Sequence, residues 1–238
     1  MSDEVRGVLL DIEGTTTPIA FVHDVLFSYA RDHVTQFLRD NSESGEVRAD
    51  IELLRQEHAQ DAGAPPLDAT VESIANYVEW LIGCDRKSTG LKSLQGKIWR
   101  RGYLDGSLKS QVFEDVAPAM RRWHEGGLNV SIFSSGSVMA QQLLFAHTNA
   151  GDLTGLIDNY FDTNVGKKSD ADSYRRIAAD LGIDAREIVF ISDVVAELEA
   201  ARQAGMKTLL SVRPDNAPVE SDQTFDRITG FTGLTRFV

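Results

Sequence analysis

Cysteine is nearly absent. A single one, Cys84, stands in 238 residues, so no internal disulfide can form and a reducing compartment fits. The same scarcity excludes a zinc site built from cysteine pairs, and the five histidines show no His-Glu-x-x-His spacing. Positive charge is also short. Against 36 Asp and Glu there are 24 Lys and Arg, a formal net charge of −12. That excludes non-specific nucleic-acid binding, which needs a basic face. It also means that an anionic substrate needs a metal ion, a local lysine or backbone N–H groups to be held. No apolar run approaches the roughly 18 residues of a membrane span. The first residues, MSDEVRG, are acidic and lack a charged-then-apolar signal pattern. The expected location is cytoplasmic, with no membrane and no nucleic-acid partner. No heptad and no long apolar edge is visible, so the expected state is a monomer.

What is present is ordinary for a globular chain: 42% hydrophobic and 25% charged residues. Residues 5–12, VRGVLLDI, form an apolar, β-rich run that ends in an acid and reads as a buried strand. GTTTP breaks it. Helical spacing then recurs four times, over about 19–39, 46–60, 68–84 and 89–104, so that 18–111 reads as helices only. After Pro118 the texture changes. Strands are predicted at 128–135, 187–193 and 206–213, with helices at 137–147, 169–181 and in VVAELEAARQAG, closed by Gly205. Strands alternating with helices imply a parallel sheet covered on both faces. The predicted architecture is α/β: a Rossmann-like core of residues 1–17 and 112–238, with an all-helical cap, 18–111, inserted after the first strand.

Three apolar strands end in polar clusters. These are Asp11 and Glu13 in LLDIEG, Ser134 and Ser135 in IFSSGS, and Asp193 in VFISD. In an open parallel sheet, ligands bind beyond the carboxyl ends of the strands, so these clusters should converge. Carboxylates brought together raise one another's pKa, which a divalent cation offsets; an all-oxygen set suits Mg²⁺. Asp11 and Asp193, with the backbone carbonyl of Glu13, are candidate ligands for one ion per chain. Serine hydroxyls and the N–H groups before helix 137–147 can hold a phosphate, and Lys168, in TNVGKKSD, adds the positive charge. Each residue also has a plainer reading. Asp11 and Glu13 are common strand-end and turn acids, Ser134 and Ser135 fit a helix cap, and KK is usually a surface charge pair.

Taken in order, these signatures resemble the haloacid dehalogenase-like hydrolases: acid-x-acid-Gly-Thr at 11–15, a strand ending in Ser134, Lys168, and Asp193 with Glu197 four residues on. Glu13 and Glu197 stand where Asp is usual. With DIEGTTTPIAFVHDVLF, DRKSTGLKSLQGKIWRRGY, SSGSVMAQQLLF and SYRRIA, they make the chain similar to the enolase-phosphatases of methionine salvage. The resemblance implies a Mg²⁺-dependent enzyme that enolises and then dephosphorylates 2,3-diketo-5-methylthiopentyl-1-phosphate. It implies Asp11 as nucleophile and metal ligand, Glu13 as acid/base with its carbonyl on the metal, and Ser134, Ser135 and Lys168 on the substrate phosphate. Asp193 completes the metal site and Glu197 supports it. The competing expectations are a related phosphatase of another sugar phosphate, a metal-free dehalogenase, and a non-catalytic binding protein on the same scaffold.

Overall fold

The computed structural model describes residues 4–84, 86, 88–218, 225–232 and 234; the outer ends of the expected core, 1–3 and 235–238, lie outside them. The chain divides into two compact units, residues 1–22 with 109–238, and residues 23–108.

The first unit is built on six parallel strands: β1 (Gly7–Leu10), β2 (Asn129–Phe133), β3 (Asn159–Phe161), β4 (Ile188–Ser192), β5 (Lys207–Ser211) and β6 (Asp226–Ile228). Their order across the sheet is β3-β2-β1-β4-β5-β6. β1 sits between the two halves, pairing Leu10 with Ile132 on one side and with Ile191 on the other. Central β1 and β4 are buried along their whole length, as parallel strands covered on both faces must be. This explains their unbroken apolar sequences. β3 and β6, absent from the sequence reading, are three residues each at the two sheet edges. Their residues are half-buried or exposed, which leaves no apolar run to detect.

Unit two consists of helices α1 (Ser28–Asp40), α2 (Gly45–His58), α3 (Val71–Gly83) and α4 (Thr89–Asp105). They pack around Val34, Leu38, Leu54, Tyr77, Leu81 and Leu94, all essentially inaccessible. The helix expected over 19–39 is in part a wider π-helical turn, Phe21–Phe27. The indole N–H of Trp99 donates to the Leu26 carbonyl at 2.8 Å, an insertion of the kind that disturbs a helical ladder.

The helices that follow belong to the first unit: α5 (Val116–Glu125), α6 (Val138–Ala146), α7 (Ala171–Leu181) and α8 (Val195–Gln203). α5 is not among the expected helices, and it contains Pro118, after which the sequence texture changes. Pro118 is the third residue of the helix, where no intrahelical N–H partner is needed. The two units divide at 22/23 and 108/109. Two hydrogen bonds tie the second junction to the core: Ser110 N–H donates to His147 O at 2.9 Å, and Asn149 N–H donates to Ser110 O at 2.8 Å. Phe21, at the first junction, is buried.

Candidate active site

Because every strand runs the same way, the residues just past β1, β2 and β4 gather at one edge of the sheet. These are Asp11, Ser134 and Asp193. The register brings Leu10, Ile132 and Ile191 level, so Asp11 lies one step before Ser134.

Asp11 is buried, 4% exposed. Its Oδ1 accepts from the Ile12 N–H at 2.8 Å and takes the Lys168 ammonium at 2.5 Å. Lys168 also meets Glu197 Oε2 at 2.7 Å. Lys168 is positioned by its backbone: the Tyr174 hydroxyl donates to Lys168 O at 2.7 Å, and the Ser173 hydroxyl to Lys167 O at 2.8 Å. Gly166 permits this close loop–helix approach. It has φ +140°, and a Cβ there would collide with Ser173 Oγ. The ring of Phe133 lies 5.8 Å from the ammonium. Lys167 is exposed.

The electrostatics follow from packing several charges in little water. Burial alone lowers the Lys168 pKa, but the Asp11 and Glu197 carboxylates outweigh it and hold the ammonium above its ordinary value. For Glu197 the balance goes the other way. Burial first and the Asp11 charge second push it up to about 7, against the pull of Lys168 and Ser192. Asp193 is likewise pushed up to about 7, by burial and then by Asp11. Carboxyl groups raised in this way by desolvation and a like charge are a signature of functional sites.

Glu13 is half-buried and its backbone pairs with Thr17 in a short bridge. The loop between them turns on Gly14, with φ +67°; any Cβ at that position would overlap the Asp193 carboxylate. Glycine is therefore required both for the turn and for the approach of Asp193. Ser134 is half-buried and Ser135 exposed. Neither caps α6: that role falls to Ser137, whose hydroxyl accepts from Ala140 N–H at 3.3 Å. Ser134 Oγ instead accepts from Gly136 N–H at 3.2 Å.

Sequence reasoning missed Ser192. Its hydroxyl lies 3.2 Å from Asp11 Oδ2 and 3.0 Å from Glu197 Oε2, and accepts from Val194 N–H at 3.1 Å. A serine as the last residue of an apolar strand was the only available signal. It also missed Asn216, whose amide nitrogen donates to Gly14 O at 2.9 Å, and Arg213, whose Nε donates to Thr15 O at 3.1 Å. Arg213 is buried in an ion pair with Asp115 between the rings of Phe113 and Phe231.

Among the described residues no three acidic, histidine or cysteine side chains converge as a ready metal cage. The donor set fits a hard divalent ion that keeps part of its water. It comprises two carboxylates, Asp11 and Asp193, the second with its pKa raised by burial and by the charge of the first. A buried amide oxygen, Asn216 Oδ1, has no hydrogen-bond partner among the described residues.

A parallel sheet of this order, with an acid after β1, a lysine on that acid and a second acid after β4, defines a class. Residues 5–205 match the haloacid dehalogenase-like hydrolase family, and the chain belongs to it. Within that class the chain is 57% identical over 219 residues to a Synechococcus elongatus protein named enolase-phosphatase E1, covering 91% of this chain and 92% of that one. An Arabidopsis thaliana protein named probable bifunctional methylthioribulose-1-phosphate dehydratase/enolase-phosphatase E1 is 44% identical over 242 residues, 96% of this chain and 48% of its own length. The solved structure of the UTR4 protein from Saccharomyces cerevisiae superposes with a TM-score of 0.81 at 36% identity, covering 97% of this chain and all of that one. No described helix is long and apolar enough to cross a membrane.

Proposed function

We propose that this protein is an enolase-phosphatase of methionine salvage that acts on 2,3-diketo-5-methylthiopentyl-1-phosphate with one Mg²⁺ per chain. The observation that carries the phosphatase reading is the contact of Lys168 with Asp11, 157 residues apart in the chain, at 2.5 Å. An ammonium on a buried carboxylate offsets its charge and places positive charge where a phosphoryl group would meet it. Similarity to proteins named enolase-phosphatase E1 along more than nine-tenths of the chain supports the specific reaction.

Asp11 is the nucleophile. Its carboxylate attacks phosphorus in line, the bond to the substrate oxygen breaks, and an aspartyl-phosphate forms. Glu13, two residues on, delivers a proton to the departing oxygen and then takes one from the water that hydrolyses the aspartyl-phosphate. Ser134, Ser135 and the N–H groups that follow them hold the phosphate oxygens, and Lys168 neutralises them. Asp11, Asp193 and the Glu13 carbonyl would hold Mg²⁺. When bound, the ion supplies Lewis-acid stabilisation of negative charge, in the enolisation as well as in the phosphoryl transfer. Glu197 supports the site through its ion pair with Lys168. A single cysteine, and so no internal disulfide, supports a cytoplasmic location, and the protein is proposed to act as a monomer.

The test is incubation of the pure protein with the diketone phosphate, with Mg²⁺ and with EDTA. Enol absorbance rising before phosphate release, and lost with EDTA, is expected. Phosphate released from unrelated esters with no enol signal would point to a phosphatase of another sugar phosphate.

A further inference from the structure

Three groups at and just after the end of β5 hold the loop carrying Glu13. Ser211 Oγ donates to Gly14 O at 3.1 Å, Arg213 Nε donates to Thr15 O at 3.1 Å, and Asn216 Nδ2 donates to Gly14 O at 2.9 Å and to Ser211 O at 3.2 Å. Asn216 is the informative member. Both of its amide hydrogens are spent on carbonyl oxygens, which fixes the orientation of the carboxamide. Its Oδ1 must therefore face away from those carbonyls. That oxygen is buried and has no hydrogen-bond partner among the described residues.

Its surroundings show what it faces. A methyl group built on Gly14 would come within 3.0 Å of Asn216 Oδ1 and would overlap the Asp193 carboxylate. The amide oxygen and the carboxylate thus border the same point above the Gly14 backbone. Both can only accept while Asp193 is ionised, so neither satisfies the other. A buried acceptor left in this position needs a donor, and a divalent ion that keeps part of its hydration shell brings donors: its own water molecules.

We propose that Asn216 is a positioning residue of the metal site, whose Oδ1 accepts a hydrogen bond from a water on the divalent ion while its amide nitrogen fixes the Glu13 loop. The inference rests on the Mg²⁺ reading above and adds a residue that carries no charge and lies outside the signature segments. A neutral oxygen suits the place. An amide oxygen orients water without a charge of its own, and beside a bound cation a carboxylate oxygen in its place can do the same.

The test is calorimetric titration of Mg²⁺ alone into the metal-free full-length protein, its Asn216→Ala and Asn216→Asp variants, and Asp193→Asn. Asn216→Ala is expected to weaken Mg²⁺ binding about tenfold, the scale of losing a group that orients a metal's ligands. Asn216→Asp restores an oxygen but cannot donate to Gly14 O and Ser211 O. It is expected to recover the Mg²⁺ affinity while kcat stays depressed, because the loop is released. The inference is overturned if Asn216→Ala binds Mg²⁺ within about twofold of the parent, or if the Asp variant binds as weakly as the Ala variant. Should Asn216→Ala not fold, Asn216→Ser, whose hydroxyl is too short to span the gap, is read in its place with the same expectation. Asp193→Asn separates the two levels. If it leaves Mg²⁺ binding unchanged, the metal site itself is misassigned; if it abolishes binding while Asn216→Ala does not alter it, only the Asn216 inference falls.

Discussion

Both units of the chain bury carboxylates, with opposite outcomes. In the helical unit Asp61 accepts from the Tyr77 hydroxyl at 2.7 Å and from Arg86 at 2.9 Å, and these hydrogen bonds, Tyr77 first, hold its pKa below the usual carboxylate range. Asp50 takes Lys97 at 2.6 Å. Glu57 accepts from Thr89 N–H at 2.8 Å and from the Ser88 hydroxyl, closing the start of α4. Each of these acids has its charge met by donors; Asp50 and Glu57 hold α2 to α4, and Asp61 holds the loop after α2 to α3. In the α/β unit, burial and the charge of Asp11 drive Asp193 and Glu197 up to about 7. A buried acid met by donors is structure; a buried acid set against other acids is a site waiting for a cation or an anion with its cation.

The widest separation between the two kinds of acid should appear in turnover. Asp11→Asn is expected to lower kcat by on the order of 10⁴-fold or more while the protein stays folded, measured as phosphate release and by circular dichroism. Retained turnover would end the nucleophile assignment. Lys168→Met leaves Asp11 and Glu197 without their common cation. A loss of about 3 kcal/mol in stability at pH 8 is expected from an uncompensated buried charge, with kcat down on the order of 10²-fold. At pH 5.5 the stability loss should shrink, because Glu197 can take up a proton. An equal loss at both pH values in urea unfolding would show that Glu197 is not the stranded charge.

The pH dependence of stability should itself differ in sign between the two groups of acids. Asp193 and Glu197 have pKa values raised above their unfolded values, so between about pH 4 and 7 the folded state holds more protons than the unfolded one. Their contribution to stability is therefore greatest at the acid end of this window and declines as pH rises to about 7. Asp61, with its pKa lowered, contributes stability above its unfolded value and loses it as pH falls through its folded value. Asp193→Asn should flatten the decline of Tm from pH 5 to 7.5 in metal-free protein. Saturating Mg²⁺ should reverse it, since the ion binds the deprotonated form; an unaltered slope in both cases would contradict the assignment. The smallest effect is expected for Tyr77→Phe: a modest loss of stability in urea unfolding, from one hydrogen bond to a charged group, with kcat at 25 °C unchanged.

What could be read in the sequence follows the same division. Asp11, Ser134 and Asp193 are legible because each ends a continuous apolar run, and a parallel sheet puts such ends together. The haloacid dehalogenase-like class was legible only as a resemblance carried by the motifs around these residues and Lys168. Ser192 and Asn216 were not, because their roles depend on which carbonyl or carboxylate lies opposite, and no period encodes that. β3 and β6 escaped because three-residue edge strands bury too little to leave a pattern. α5 escaped because Pro118 looks the same whether it breaks a helix or sits in its first turn. In the π-helical turn at Phe21–Phe27, the Leu26 carbonyl takes its donor from Trp99, more than seventy residues away.

The central claim is that Asp11 carries the phosphoryl group. Enzyme mixed with the diketone phosphate and Mg²⁺ can be quenched in acid during turnover, reduced with borohydride and digested. An aspartyl-phosphate is thereby converted to homoserine, which mass spectrometry of the peptides locates. Homoserine at position 11 is predicted. Full-rate phosphate release with residue 11 unmodified and homoserine at another acid would contradict the account.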